Sequence, residues 1–419
     1  MAGLRARGEP AAGIAYLMPL AERYPDRVAE SSDRLRHLDP PRRLLMGSGP
    51  SNPEPRVLQA LATPPIAPDD PAFGRLLDDV SALARAVFQT RSACTLAVPG
   101  ASRAGIEAVL ASIITPGDAV LVGVYGHFGE LLCTLATRHG GVVERVDAAW
   151  GTAVDPAELV ARVRRRPPKL VAIVHADTST GILQPLEAIG RACREAGALF
   201  MVDAVLSLGG CEVAVDACHI DAAVGGLQKC LGGPPGLAPV TYSSQAREVV
   251  QQGRSESTYL DLARHEAVWV ERQGLDTAAM STSMLVAARE ALQMVIDEGL
   301  ARRWERHRQA SRALRAGLEA MGLGLFGERA HSVPMITLIR VPDGVDESGV
   351  REQLLREHGV EIMAAFGPLR GRVWRVGTMG TNARLPSVLA ALSALEAVLA
   401  SRGFGLSRGA AVDAAVAAV

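Results

Sequence analysis

Between residues 94 and 226 the chain alternates short apolar runs with amphipathic stretches, and this rhythm restricts the possible folds more than any other feature. "CTLAVPG", "AVLVGV", "VVERVDA", "KLVAIVHAD", "LFMVDAV" and "DAAVGG" read as strands bounded by turn residues. "SRAGIEAVLASII", "FGELLCTLATRHG" and "LEAIGRACREAG" carry apolar residues at helical spacing. Most of the strands are apolar on both faces, which a strand tolerates only when it is covered from both sides. Strands alternating with helices therefore predict an α/β fold, with a mostly parallel sheet between two helical layers. Ligands of such sheets bind just past the carboxyl ends of the strands. Gly100 to Ser102, Phe128, Asp203 and Lys229 fall at those ends.

The texture changes near Glu290. A long charged helix, "GLARRWERHRQASRALRAGLEAM", leads into two strands, "MITLIRV" and "VWRVGTMG", and two helices, "SGVREQLLREHG" and "LPSVLAALSALEAVLAS". The expected organisation is an extension over 1–42, a large domain over 43–294, a smaller α+β domain over 295–405 and a flexible tail over 406–419. The N-terminal apolar stretch is broken by Gly13 and Pro19, so it reads as a flexible or docking extension and not as a signal peptide. The Ala-rich tail reads as a frayed helix or as disordered. A formal charge of -1 and 4% aromatic residues argue against a nucleic-acid partner. No uninterrupted apolar run is long enough to span a bilayer, so no membrane is expected either. The cysteines Cys94, Cys133, Cys193, Cys211, Cys218 and Cys230 form no Cys-x-x-Cys pair and suggest no metal. Their scatter fits a reducing, cytoplasmic compartment.

Lys229 stands alone among uncharged residues in "VGGLQKCLGGPPG", directly after a buried-type strand. A lysine at a strand end is ordinarily a surface group. A desolvated one loses its proton more readily and becomes a nucleophile toward carbonyls, able to form a Schiff base. Asp203 ends the apolar strand "LFMVDAV". It suits a turn or helix cap, and equally the pyridinium nitrogen of pyridoxal phosphate, which needs a carboxylate to stay protonated. The pair is far more specific than either residue.

"PGASRAGIEA" places Ala101, Ser102 and Arg103 at the opening of a helix, where backbone N–H groups attract a phosphate. An ordinary capped helix would look the same. Phe128 in "YGHFGE" suits either a cover for a planar ring or core packing. Thr178 in "HADTSTG" offers a hydroxyl at a strand end. Arg375 in "VWRVGTMG" is a cation within an apolar strand, which calls for a partner carboxylate, internal or from a substrate.

Taken together, "PGASRAGIEAVLAS", "HADTSTGILQPL", "VDAVLSLGG", "GGLQKCLGGPPG" and "FGPLRGRVWRVGTMG" resemble the class V, fold-type I pyridoxal-phosphate aminotransferases. The likeness is to the alanine–glyoxylate, serine–pyruvate and ureidoglycine–glyoxylate branch, from about Arg43 to Gly403. It implies a large domain with a mostly parallel, seven-stranded sheet covered by helices and a smaller C-terminal α+β domain. It implies that Lys229 holds pyridoxal 5'-phosphate through a Schiff base and shuttles the substrate's α-proton. Asp203 would pair with the ring nitrogen, Val205 would lie beneath the ring and Phe128 above it. Ala101, Ser102, Arg103 and Gln228 would line the phosphate region, and Thr178 would meet the ring hydroxyl. Arg375 would bind the substrate carboxylate, with Gly49 near the substrate. The activity implied is ping-pong transfer of an amino group from ureidoglycine, alanine or serine to an oxo acid, glyoxylate, in a homodimer whose active site lies at the subunit interface. The stretch "LDTAAMSTSM" departs from the family's pattern: Ala279 stands where a threonine reaches the partner's phosphate, and Asp276 where an asparagine is usual. Ser281 and Thr282 are the nearby hydroxyls, and Pro68 replaces a glutamine. Two alternatives remain: a lyase or cysteine desulfurase, which needs a nucleophilic cysteine, and a catalytically degenerate binding protein.

Overall fold

A computed structural model describes residues 40–253, 255–273 and 280–419. The expected sheet is present. Its strands are β1 (Thr95–Gly100), β2 (Ala119–Val124), β3 (Val142–Asp147), β4 (Leu170–Val174), β5 (Leu199–Asp203), β6 (Ala222–Val224) and β7 (Gly236–Tyr242). They lie in the order β1-β7-β6-β5-β4-β2-β3. All run parallel except β7, which is antiparallel to both neighbours. Every residue of β4 and β5 is buried, as their apolar sequences, unbroken up to Asp203 at the end of β5, require.

Several elements go beyond the sequence reading, and two of them are instructive. One is the helix Pro156–Arg165, whose start is marked by Pro156 and by Asp155 accepting the Ala157 N–H at 2.9 Å. The other is β7, a central strand with Pro239 in its middle, where proline ordinarily argues against such a position. The register explains the tolerance. The Pro239 carbonyl accepts from Gly225 N, so its missing N–H faces the β6 side, just past the last paired residue, Val224.

Residues Arg43–Val419 form one compact unit holding more than one hydrophobic core. The larger core surrounds the sheet. A second is built from Met46 and residues between Ala310 and Ala415, around a three-stranded sheet of Ile336–Arg340, Val373–Gly377 and Met363–Ala364. Position 294 lies inside the helix Thr282–Glu298, and the chain turns at Gly299 (φ +83°) before the helix Leu300–Ala320. Leu44–Leu45 pair with Val360–Glu361, and Met46 packs in the second core.

The tail expected to be flexible carries a helix, Ala410–Ala417. Its alanines allow close approach: Ala411 and Ala415 are fully buried, and the Ala411 carbonyl lies 2.8 Å from where a Cβ on Gly317 would stand. Small side chains let this helix dock, where the sequence pattern suggested a frayed helix at most. Ala411→Asp should therefore cost on the order of 3 kcal/mol of stability, while Val416→Asp, at a half-exposed position on the same helix, should be nearly neutral. Thermal melting of the two variants checks this, and equal melting would mean an undocked tail.

Candidate active site

The carboxyl ends of β1, β4, β5 and β6 converge on a cavity of about 340 Å³. It is lined by Ala101, Ser102, Arg103, Phe128, Thr178, Asp203, Val205, Gln228 and Lys229, all nine expected around a cofactor, together with Ile106, Leu131, Val174, Ala176 and Leu206. Asp203 ends β5, in register with Val174 and Val224, and its Oδ1 accepts from the Val205 N–H at 2.9 Å. Lys229 lies at a kink in a short turn, Leu227–Leu231, just beyond β6, with non-helical backbone angles of φ -102° and ψ -124°. Gly226 lets that turn pass: a Cβ there would sit 2.8 Å from Val205 Cγ1 and 2.9 Å from Ser102 Oγ.

Gln228 Nε2 donates to Ser102 Oγ at 2.9 Å, joining the lysine turn to the first residue of the helix Ser102–Ile113. No side chain caps that helix, so its leading N–H groups are available to an anion. The N-terminal loop holds the same turn from the other side. Ser51 N donates to the Gln228 carbonyl and Ser51 Oγ to that of Lys229, both at 2.8 Å. The Lys229 ammonium donates to the Ser48 carbonyl. Gly49, at φ +112°, lies against the lysine chain, where a Cβ would stand 2.7 Å from Lys229 Cδ.

Burial governs the ionisable groups. Desolvation lowers Lys229 to about 8, with the Arg375 charge acting in the same direction. Desolvation raises Asp203 to about 7, and the neighbouring Asp177 charge adds to the rise. Burial also holds His175, which is hydrogen-bonded through Nδ1 to Ser207 Oγ at 3.0 Å, near 4 and neutral. Among the described residues Asp203 has no cation within 4 Å.

Arg375 and Gly49 lie outside the cavity lining, though each touches a residue in it. Arg375 Nε donates to the Ala364 carbonyl at 2.8 Å and Nη1 to the Thr178 carbonyl at 3.2 Å. It is buried, and no carboxylate pairs with it among the described residues. Desolvation lowers it to about 10, still charged at neutral pH. Sequence reasoning missed Asp177, His127 and Phe366. Asp177 is fully buried, accepts from Ser179 N at 2.6 Å and from Phe128 N at 3.4 Å, and so seats Phe128. Its only signal was a carboxylate in an otherwise hydroxyl-rich turn.

A family model, Aminotransferase class-V, matches residues 72–369. The chain is 44% identical over 401 residues to the (S)-ureidoglycine–glyoxylate transaminase of Bacillus subtilis, covering 91% of this chain and 96% of that one. It belongs to the class-V aminotransferases. The alanine–glyoxylate aminotransferase of Drosophila melanogaster is 34% identical over 372 residues, 87% of this chain and 94% of its own length. The crystal structure of the Bacillus subtilis ureidoglycine–glyoxylate aminotransferase superposes with a TM-score of 0.90 at 45% identity, covering 91% of this chain and 99% of that one. The fold and the aminotransferase activity expected from the sequence are those of this family.

Other features of this aminotransferase bear on the remaining expectations. Asp276 and Ala279 lie outside the described residues. Ser281 caps the helix Thr282–Glu298 by accepting from Met284 N, and Thr282 Oγ1 donates to the Ile66 carbonyl at 3.0 Å. Both hydroxyls are thus engaged within the chain. Cys230, the one thiol beside the lysine, is fully buried against Gly210, and burial pushes it up to about 12. A thiol so protonated and enclosed is no nucleophile.

The sign of the Asp203 shift yields a test. The folded chain holds this proton more tightly than the unfolded chain, whose value is ordinary, so the group withdraws stability as pH rises from about 4 through 7. Cofactor-free Asp203→Asn should melt several degrees above the parent at pH 8 and no higher at pH 4. Equal melting at both pH values would contradict the shift.

Proposed function

We propose that the protein is a pyridoxal 5'-phosphate-dependent transaminase that moves an amino group from a small amino donor to glyoxylate. The observation that carries this reading is a buried carboxylate, Asp203, with no cation paired to it among the described residues, in one cavity with a lysine whose amine is largely desolvated. The residues fit the cofactor. Asp203 suits its cationic ring nitrogen, and the uncapped helix start with Ser102, Arg103 and Gln228 suits its phosphate. Phe128 and Val205 would bracket the ring, with Thr178 at its hydroxyl and Ala101 beside the phosphate. The chain has two lysines, and Lys169 precedes β4 at the sheet's opposite end, so Lys229 is the amine that would hold the cofactor's aldehyde. When bound, the cofactor supplies an electron sink for the substrate's α-carbon.

The chain's own residues do the rest. At pH 7 an amine with a value near 8 is neutral about a tenth of the time, against some three molecules in ten thousand at the ordinary 10.5. Lys229 Nζ can therefore take the substrate's α-proton and return it. The Ser48 carbonyl and Gly49 fix where Nζ sits. Arg375 would bind the carboxylate of donor and acceptor in turn. Both named relatives carry glyoxylate in their names, which supports the acceptor. Pro68 and Asp276 keep alanine and serine beside ureidoglycine as donors. The free thiols support a cytoplasmic location, and the family likeness supports a homodimer with its site at the interface. No helix of the described residues is long and apolar enough to cross a membrane.

Pyridoxal phosphate added to the protein should produce a yellow species that forms faster as pH rises through about 8, because attachment needs the neutral amine. Borohydride should fix the cofactor on Lys229 and leave Lys169 unmodified. One of ureidoglycine, alanine or serine should bleach the colour and glyoxylate restore it. A protein that stays colourless, or is labelled at Lys169, would overturn the reading.

A further inference from the structure

The Arg375 guanidinium is held at two points of its edge and on its face. Nε and Nη1 are spent on the Ala364 and Thr178 carbonyls, at 2.8 and 3.2 Å. A plane held at two edge points still hinges about the line joining them. The face contact comes from Phe366, whose ring centroid lies 4.3 Å from Arg375 Cζ. That ring is itself immobilised. His127 stacks on it with centroids 4.5 Å apart and planes at 26°, and Phe128 meets it edge-on at 6.2 Å and 82°. The backbone fixes it too: Ala364, two residues earlier, supplies one of the guanidinium's acceptors and pairs with Trp374 beside Arg375. Gly367, one residue later, packs so close to Trp150 that a Cβ there would stand 2.8 Å from Cη2.

We propose that Phe366 is a positioning residue for the carboxylate grip of Arg375. It stops the guanidinium from tilting and so aims the remaining Nη2 donors, which have no protein acceptor among the described residues, at a substrate carboxylate. The inference rests on the reading of Arg375 as the substrate's carboxylate ligand. The aromatic contact with Phe128 ties that grip to the residue that would cover the cofactor ring.

Glycolate, the unreactive hydroxy analogue of glyoxylate, is the binding probe, measured by calorimetry beside steady-state kinetics with glyoxylate. Phe366→Leu keeps an apolar side chain but removes the ring face. It should weaken glycolate binding and raise the glyoxylate KM by roughly three- to tenfold, with kcat and cofactor absorbance unchanged. Phe366→Tyr, which keeps the ring, should restore both values. In an Arg375→Gln background, Phe366→Leu should add nothing further. If Arg375→Gln weakens glycolate and Phe366→Leu does not, the role of Phe366 is refuted while Arg375 keeps its own. The same holds if Phe366→Leu acts equally in both backgrounds. If Arg375→Gln itself leaves glycolate binding unchanged, the carboxylate reading falls and this inference falls with it.

Discussion

One lysine and one aspartate are withdrawn from water in the same cavity without neutralising each other, and the surrounding structure is organised around keeping them so. Burial pushes both toward their neutral forms, Lys229 down to about 8 and Asp203 up to about 7. A protein selected only for stability would pair them directly or replace them with apolar groups. Here each is held by backbone instead, Asp203 by the Val205 N–H and Lys229 by the Ser48 carbonyl. The arrangement leaves two groups ready to be completed by a ligand that brings its own cation and its own electrophilic carbon.

Holding a lysine in that state requires a rigid turn, and the first turns of the helix Leu300–Ala320 supply much of the rigidity. Arg303, buried, donates to the Cys230 carbonyl at 2.6 Å and pairs with Glu298 at the same distance. Arg306 pairs with Glu298 as well and donates to the Gly380 carbonyl at 2.8 Å, while Gly380 N donates to His307 Nε2 at 3.1 Å. Gly380 in turn lies against the Lys229 carbonyl and Ser51. Two charged guanidiniums are affordable here because Glu298, held well below the usual carboxylate range by them, remains ionised among them.

The sheet and its ligand-binding edge were legible because β-strands buried on both faces leave an unmistakable apolar sequence, and because site residues of such sheets must follow strand ends. Lys229 and Asp203 could be read for the same reason. β7 could not, since Pro239 argues against a central strand until the register places its missing N–H past the end of β6. The docked tail helix was hidden because alanines that pack closely look like alanines that do nothing. Phe366 and His127 were hidden for a different reason: Phe366 acts by stacking on Arg375, and His127 stacks on Phe366 from a segment distant in sequence, and no local pattern reports such contacts.

The central claim is that desolvation makes the Lys229 amine available as a base near neutral pH. With two lysines in the chain, a protein carrying carbon-13 at lysine Cε gives two resonances, and Lys229→Arg assigns them. Following the Lys229 resonance of the cofactor-free protein against pH should show a midpoint close to 8. A midpoint at the ordinary lysine value, above 10, would mean that the amine stays fully charged in its cavity, and the account of how this site works would be wrong.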